Sequence, residues 1–200
     1  MKLIQRHGYI EFLRRNRERS IIKVVSGIRR CGKSTLFRLF KDELLAEGVK
    51  PEQIISINFE ELEYEPLREY HALYQYILNQ MQPNQMNYIF LDEIQHVDQF
   101  HRVVDSLFVK ENTDIYITGS NAYFMSSDIA TLLTGRYVEI QMLPLSFAEF
   151  YFSKYEEQQY SLIPAYEAYL RESSFPYTQH LGGEDFDIQE YLRGLFNTLL

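Results

Sequence analysis

The chain has 200 residues, 46% hydrophobic and 24% charged, which is typical of a globular domain and excludes a disordered or fibrous protein. No apolar run approaches the roughly 18–20 residues of a membrane-spanning helix, and the first residues lack the apolar centre of a secretory signal peptide. The single cysteine, Cys31, cannot form an internal disulfide. We therefore expect one sizeable cytoplasmic domain that does not contact membranes.

Positive charge is concentrated in the N-terminal part of the chain, although the net charge is −8. Residues 1–41 contain 12 of the 20 Lys and Arg residues and 2 of the 28 acids, whereas residues 42–200 carry a net charge of −18. A basic segment suits an anionic ligand, either nucleotide phosphate or nucleic acid. A solvated helix face would also explain the basic run LRRNRER (13–19), so charge alone does not identify the ligand.

Short apolar and β-branched segments alternate with segments of helical periodicity. The predicted strands are 20–27, 53–60, 87–94, 114–121 and 136–143, and the predicted helices are 9–18, 33–45, 62–82, 100–110, 127–134 and 144–155, the last opening at Pro144. Residues 156–200 are rich in aromatic side chains and mostly helical in pattern. This alternation predicts an α/β fold with a five-stranded parallel sheet covered by helices on both faces.

The segment GIRRCGKST (27–35) has the G-x-x-x-x-G-K-[ST] spacing of a phosphate-binding loop, or P-loop. It follows a predicted strand and leads into a predicted helix, as this motif requires. The glycines would let the loop turn its N–H groups inward, and the helix would add its positive N-terminal end. Lys33 would reach the β- and γ-phosphates, and Ser34 would ligate Mg²⁺. The predicted nucleotide-binding residues are Gly27, Ile28, Arg29, Arg30, Cys31, Gly32, Lys33, Ser34 and Thr35.

The segment YIFLDE (88–93) has the pattern of a Walker B strand, four apolar residues followed by two acids. At the carboxyl end of a buried strand, Asp92 would hold Mg²⁺ and Glu93 would take a proton from an attacking water. A further strand at 53–60, between the loop strand and this one, fits the ATPase branch of P-loop proteins. The guanine-reading motif Asn-Lys-x-Asp is absent from the sequence, which favours ATP over GTP.

Two more places in the sequence carry candidate catalytic groups. In ITGSN (117–121), Thr118, Ser120 and Asn121 all have side chains suited to contact the γ-phosphate or the attacking water, although such residues are common in loops. Arg136 directly precedes the fifth predicted strand. It would stabilise charge on a transferring phosphoryl group, including one bound to a neighbouring subunit, or would simply pair with a carboxylate.

These segments, together with LLTGRYVEIQMLPLSFAEF (132–150) and YLRESSFPY (169–177), resemble the predicted AAA-type ATPases of bacteria and archaea. In that family a P-loop NTPase domain is commonly followed by a lid, a winged helix and a nuclease-like domain of unsettled function. The resemblance covers residues 3–200, and the 132–150 segment is its most specific part. The family often has Gly-Gly where this chain has Ser173 and Ser174.

The resemblance implies an ATPase core over residues 1–150 and part of a helical lid over 151–200. It implies that ATP and Mg²⁺ are bound through Lys33, Ser34, Asp92 and Glu93, that Ser120 and Asn121 act as sensors, and that Arg136 has a functional role. It also suggests a homo-oligomer, and a parent protein that continues past residue 200 into a C-terminal domain.

Together these features predict Mg²⁺-dependent ATP hydrolysis by an AAA-type domain, in which Glu93 is the base. Three alternatives remain at this point. The domain would instead be a slow nucleotide-dependent switch, a nucleic-acid-binding module that uses the basic N-terminal segment, or a small-molecule kinase. The paired acids of Asp92 and Glu93 argue against the kinase.

Overall fold

The computed structural model of the chain describes residue 4 and residues 6–120, 133, 135–155, 160–181 and 185–199. The chain divides into two compact units, which we call the sheet unit and the helical unit. The sheet unit consists of His7–Ile28 and Lys33–Met142, and the helical unit consists of Met1–Arg6, Arg29–Gly32 and Leu143–Leu200.

The sheet unit contains a five-stranded sheet in which every neighbouring pair of strands is parallel. The strands are β1 (Ile22–Gly27), β2 (Ile54–Asn58), β3 (Asn87–Asp92), β4 (Thr113–Ser120) and β5 (Tyr137–Met142). Their order across the sheet is β2-β3-β4-β1-β5, and every residue of β1 and β3 is buried. The predicted five-stranded parallel sheet is therefore confirmed.

Seven α-helices occur in the described parts of the chain. The sheet unit contains α1 (His7–Asn16), α2 (Lys33–Ala46), α3 (Tyr70–Gln80) and α4 (Phe100–Phe108), and the helical unit contains α5 (Phe147–Tyr155), α6 (Leu162–Glu172) and α7 (Asp185–Leu199). Short 3-10 segments lie at Pro51–Gln53, Leu62–Arg68, Ile94–His96 and Pro176–His180. No helix of the described chain has both the length and the apolar character needed to cross a membrane.

Several predicted helices begin at other residues than expected, and the largest differences concern those predicted over 62–82 and 144–155. The single helix predicted over 62–82 is wrong: a 3-10 segment that contains Pro66 comes first, and α3 starts at Tyr70 because the Glu69 side chain caps the N–H groups of the next turn. The helix predicted to open at Pro144 begins at Phe147. The helix predicted over 127–134 lies almost entirely outside the described residues.

The two faces of the sheet are covered by different helices. On one face, aliphatic strand residues pack against α3 and α4, and this core includes Ile89, Leu91, Ile117, Leu73, Ile77, Val103 and Val104. On the other face, the ring centre of Phe37 in α2 lies 5.2 Å from that of Phe90, which stacks on Tyr116 at 4.6 Å. Because successive side chains of a strand point to opposite faces, β3 contributes to both layers.

A buried charged pair joins β1 and β4 near their amino ends. Lys23 pairs with Asp114, and both side chains are completely buried. The second carboxylate oxygen of Asp114 accepts hydrogen bonds from the Tyr116 hydroxyl at 2.6 Å and from the Glu18 N–H at 2.9 Å. The charges are thus matched by hydrogen bonds, as buried ions require, and the strand that leads into the P-loop is held at its starting end.

Candidate active site

Three strand ends meet at one edge of the sheet. Gly27 ends β1, Asp92 ends β3 and Ser120 ends β4, and the β1–β4 register places Gly27 opposite Ser120. The carboxyl edge of a parallel sheet is where ligands of α/β proteins bind. The sequence motifs for phosphate and metal binding therefore lie at the edge where a ligand is expected.

The P-loop connects β1 to α2, as the sequence predicted. The strand ends at Gly27 and the helix begins at Lys33. Gly32 has φ 107° and Arg30 has φ 66°, so the loop turns through backbone conformations that L-residues rarely adopt. The first turn of α2 leaves N–H groups without helical partners, and these give that end a partial positive charge.

The ammonium group of Lys33 is buried against its own loop and against a carboxylate. Its Nζ donates to the carbonyl oxygens of Gly27 at 3.1 Å and Ile28 at 3.4 Å. It also lies 3.2 Å from Glu93 Oε1. The cation of the P-loop and the acid that follows β3 are therefore in direct contact.

Asp92 is buried at the end of β3 and accepts hydrogen bonds from the hydroxyl groups of Ser34 and Thr118. Burial raises the pKa of Asp92 above its ordinary value, whereas these hydrogen bonds and the Lys33 ammonium oppose the rise. A carboxylate and a hydroxyl are oxygen ligands of the kind that Mg²⁺ prefers, and Mg²⁺ commonly takes its remaining ligands from water and phosphate. Ser34 and Asp92 therefore fit this ion.

Glu93 adopts a left-handed backbone conformation, with φ 54° and ψ 48°, which costs a non-glycine residue about 1–2 kcal/mol. Its N–H donates to Thr118 Oγ1 at 2.9 Å, and its Oε2 accepts from Gln95 Nε2 at 2.5 Å. Strained residues of this kind cluster at functional sites. The turn brings the Glu93 carboxylate to Lys33. Thr118 contacts both acids, because its hydroxyl donates to Asp92 and accepts from the N–H of Glu93.

The chain matches the family model of the AAA domain over residues 19–151, which is more than half of its length. It belongs to this family. A relative from Haemophilus influenzae, an uncharacterized protein, is 41% identical over 87% of this chain and 44% of its own. The chain spans less than half the length of the curated relatives that it matches.

Solved structures share the fold of this AAA domain. The Walker-type ATPase paby2304 of Pyrococcus abyssi has a TM-score of 0.64 and 17% identity, with 98% of this chain and 73% of that chain covered. DnaA from Aquifex aeolicus with bound AMPPCP has a TM-score of 0.56 and 10% identity, with 90% and 60% covered. At these identities the likeness concerns the fold.

Arg136 lies at the end of the sheet where the strands of this AAA domain begin, whereas the P-loop lies where they end. Its carbonyl accepts from the N–H of Ile22 at 2.8 Å, at the amino end of β1, and the P-loop leaves the other end of that strand. Five residue steps of a strand span about 16 Å. The guanidinium lies 2.6 Å from Asp105 and 5.9 Å from the ring centre of Phe108, so within one chain Arg136 is apart from the other predicted site residues.

The apex of the P-loop, residues 29–32, belongs to the helical unit. Arg29 and Arg30 are exposed, and the Arg30 guanidinium lies 5.8 Å from the ring centre of Tyr191 in α7. Cys31 is completely buried. Thr35, in the first turn of α2, is half-buried, and Asn121 lies outside the described residues.

Sequence reasoning did not select Thr118 over its neighbours, and it missed Gln95. Thr118 hydrogen-bonds to both Asp92 and the N–H of Glu93, but β4 contains several polar residues, so no sequence signal separates Thr118 from them. Gln95 follows the two acids closely, but no spacing rule marks it. Its contact with Glu93 depends on the turn after β3.

Proposed function

We propose that this AAA domain binds ATP together with Mg²⁺ and hydrolyses it to ADP and phosphate. The observation that carries the proposal is the cluster of Lys33, Asp92, Glu93 and Thr118 at the mouth of the P-loop. Here a cation for phosphate, a buried carboxylate for a metal ion and a second carboxylate for a water lie within contact distance of each other.

The loop N–H groups and Lys33 would bind the β- and γ-phosphates. Ser34 and Asp92 would hold Mg²⁺, which neutralises negative charge on the phosphate oxygens when bound. Glu93 would accept a proton as the oxygen of water bonds to the γ-phosphorus and the bond from that phosphorus to the bridging oxygen of ADP breaks. Because Lys33 contacts Glu93 in this structure, an incoming phosphate would compete for the lysine and free the base.

Ser120 would act as a sensor of the γ-phosphate, since it lies opposite Gly27 at the loop mouth, and Asn121 would extend that role. Arg136 would serve a neighbouring copy in a homo-oligomer, because about 16 Å of sheet separates it from its own P-loop. The bound AMPPCP of the DnaA neighbour supports nucleotide binding by analogy. We retain residues 1–150 as the ATPase core and 151–200 as part of a lid, and a C-terminal domain of the parent protein as a further partner.

A slow nucleotide-dependent switch is the second candidate function. The contact between Lys33 and Glu93 favours it, because a carboxylate that pairs with a lysine is less available to accept a proton from water. The basic N-terminal run gives less support to nucleic-acid binding. Arg14 pairs with Glu43 at 2.5 and 2.7 Å, and Arg17 pairs with Glu47, as expected of a helix face that packs beside α2.

Calorimetric titration with ATP and Mg²⁺ tests the proposal, with the Lys33→Ala variant beside wild type. Lys50→Ala is the matched control, since Lys50 is exposed and lies beyond the end of α2. We expect binding by wild type and Lys50→Ala, and none by Lys33→Ala. Because Lys33 is buried and paired with Glu93, far-ultraviolet circular dichroism must show that the variant is folded. Wild-type affinity in folded Lys33→Ala would refute the assignment, and a phosphate-release assay separates a working ATPase from a slow switch.

A further inference from the structure

Arg6, which lies before α1 in the chain, is a buried arginine whose side chain contacts a carboxylate and backbone carbonyl groups. It is 4% exposed. Its Nε contacts Glu149 Oε1 at 2.6 Å, its Nη1 donates to the Cys31 carbonyl at 3.3 Å, and its Nη2 donates to the carbonyls of Leu143 at 2.9 Å and Pro144 at 3.3 Å. Removing one partner from a buried charge is strongly destabilising. The folded state therefore favours the positions of these partners in which all of them contact the guanidinium.

The Cys31 carbonyl belongs to the apex of the P-loop. A peptide group at the loop apex that points its N–H toward phosphate points its carbonyl the other way, and a buried carbonyl needs a hydrogen-bond donor. Arg6 supplies such a donor for Cys31, whose side chain is completely buried. A hydrogen bond from a charged donor is among the stronger polar contacts in proteins.

At its other end, Arg6 contacts the start of α5. Glu149 Oε2 accepts from the N–H of Ser146 at 2.8 Å and from its hydroxyl at 2.9 Å, and the Glu149 N–H donates back to Ser146 Oγ at 3.3 Å. This reciprocal pair is a capping box, and it explains why α5 begins at Phe147. The PLSFAEF segment (144–150) therefore provides both a helix start and a carboxylate for Arg6.

We propose that Arg6 is a positioning residue for the nucleotide-binding loop. Its guanidinium holds the Cys31 carbonyl outward and ties the loop apex to the capping box of Ser146 and Glu149. The apex is thereby ordered before the ligand arrives, which reduces the entropy lost on binding. The inference rests on the proposed function in one respect, namely that the ligand of the loop is a nucleotide phosphate.

Alkylation of Cys31 with a maleimide tests the proposal in the absence of nucleotide, since Cys31 is the single cysteine of the chain. In Arg6→Met the loop apex loses its charged donor, and we expect Cys31 to react about 10-fold faster than in wild type, the effect of losing one hydrogen bond to a charged group. Glu149→Gln keeps the size of the side chain and should give a smaller acceleration.

Lys154→Met is the matched control. Lys154 pairs with the buried Glu172 in the same helical unit, so this variant also removes the cation of an ion pair but leaves the P-loop untouched. Labelling rates measured against urea concentration separate local opening of the loop from global unfolding. Equal rates in Arg6→Met and Lys154→Met, after this correction, would overturn the proposal. If Arg6→Met does not fold, Glu149→Gln and Arg6→Lys decide by the same criterion.

Nucleotide binding provides a second readout. We expect Arg6→Met to raise the Kd for ATP about 10-fold, Lys154→Met to leave it unchanged, and Arg6→Lys to recover part of the loss because one ammonium replaces only some of the contacts. An unchanged Kd in Arg6→Met would contradict the positioning role. If wild type binds no ATP, the proposed function fails, while the alkylation rates still decide whether Arg6 orders the loop.

Discussion

Lys33 and Glu93 form an ion pair at the mouth of the P-loop, with 3.2 Å between Nζ and Oε1 and side chains that are 3% and 12% exposed. The cation that would bind phosphate and the carboxylate that would activate water are therefore partners of one ion pair. In the proposed reaction, a phosphate group that draws Lys33 away would also release Glu93 to act as the base.

Glu93→Gln should lose hydrolysis and keep ATP binding. The amide cannot accept the proton of the attacking water, so we expect kcat to fall by at least about 100-fold. ATP affinity should stay the same or rise, because Lys33 no longer has a competing carboxylate. Phosphate release and calorimetric titration measure the two effects. Asp98→Asn makes the same chemical change at an exposed acid nearby and serves as the control. If Glu93→Gln hydrolyses ATP as fast as Asp98→Asn does, Glu93 is not the base.

Asp92→Asn should stabilise the nucleotide-free domain at neutral pH. Burial raises the pKa of Asp92, so the folded state holds this proton more tightly than the unfolded chain does. Stability is therefore lost as the pH rises from the ordinary value of 3.8 through the raised pKa. Asparagine carries no charge, so we expect the Tm at pH 7 to rise relative to wild type.

The gain from Asp92→Asn should disappear at pH values below 3.8, where Asp92 is protonated in both states. Thermal unfolding over a pH series measures this, with Asp98→Asn again as the exposed control. A Tm difference that does not vary with pH would contradict the assigned direction. The same variant should bind ATP and Mg²⁺ more weakly, since the carboxylate that fits the ion is gone.

Arg136→Ala should reduce turnover much more than ATP binding. By analogy with arginines that complete a neighbour's site, we expect kcat to fall about 10³-fold with little change in Kd. Wild-type activity should rise faster than linearly with protein concentration, because Arg136 is too far from its own P-loop. Asp105→Asn is the control: it removes the carboxylate that holds Arg136 but keeps the guanidinium, and should stay active. An unchanged kcat in Arg136→Ala would show that Arg136 has a structural role and not a catalytic one.

Ser173→Gly should stabilise the helical unit. Ser173 follows α6 with φ 73° and ψ 162°, a conformation that is essentially confined to glycine and costs other residues about 1–3 kcal/mol. We expect a gain of about 1 kcal/mol in the free energy of unfolding, measured by urea denaturation. Ser174→Gly, at the next position, lacks a positive φ and should destabilise by about 0.5–1 kcal/mol. Similar effects of the two changes would contradict the strain at Ser173.

The sequence motifs predicted the parts of the site that depend on local order. A strand, a glycine-rich turn and a helix follow one another in the chain, so the P-loop could be located before the structure was known. The two acids after β3 could be located for the same reason, and the parallel sheet then brings both strand ends to one edge.

The contacts of Thr118 and Arg6 could not be predicted in that way. Thr118 acts on both acids only because of the register between β3 and β4. Arg6 hydrogen-bonds mainly to backbone carbonyls, and every residue has one, so no side-chain pattern marks its partners. The single helix predicted over 62–82 was wrong because its acidic, Tyr-rich composition does not reveal the 3-10 segment around Pro66 or the cap at Glu69.

The position of β1 inside the sheet has a consequence for how the domain folds. Its neighbours are β4 and β5, which follow it in the chain by roughly 90 and 115 residues, as the pairings of Lys23 with Tyr116 and of Ile22 with Tyr137 show. During synthesis, β1 therefore leaves the ribosome long before either partner strand exists, and its backbone N–H and C=O groups lack their strand partners until then. Closure of such long loops makes folding slow. A ligand of the P-loop can accordingly stabilise the nascent protein only after β4 has been made.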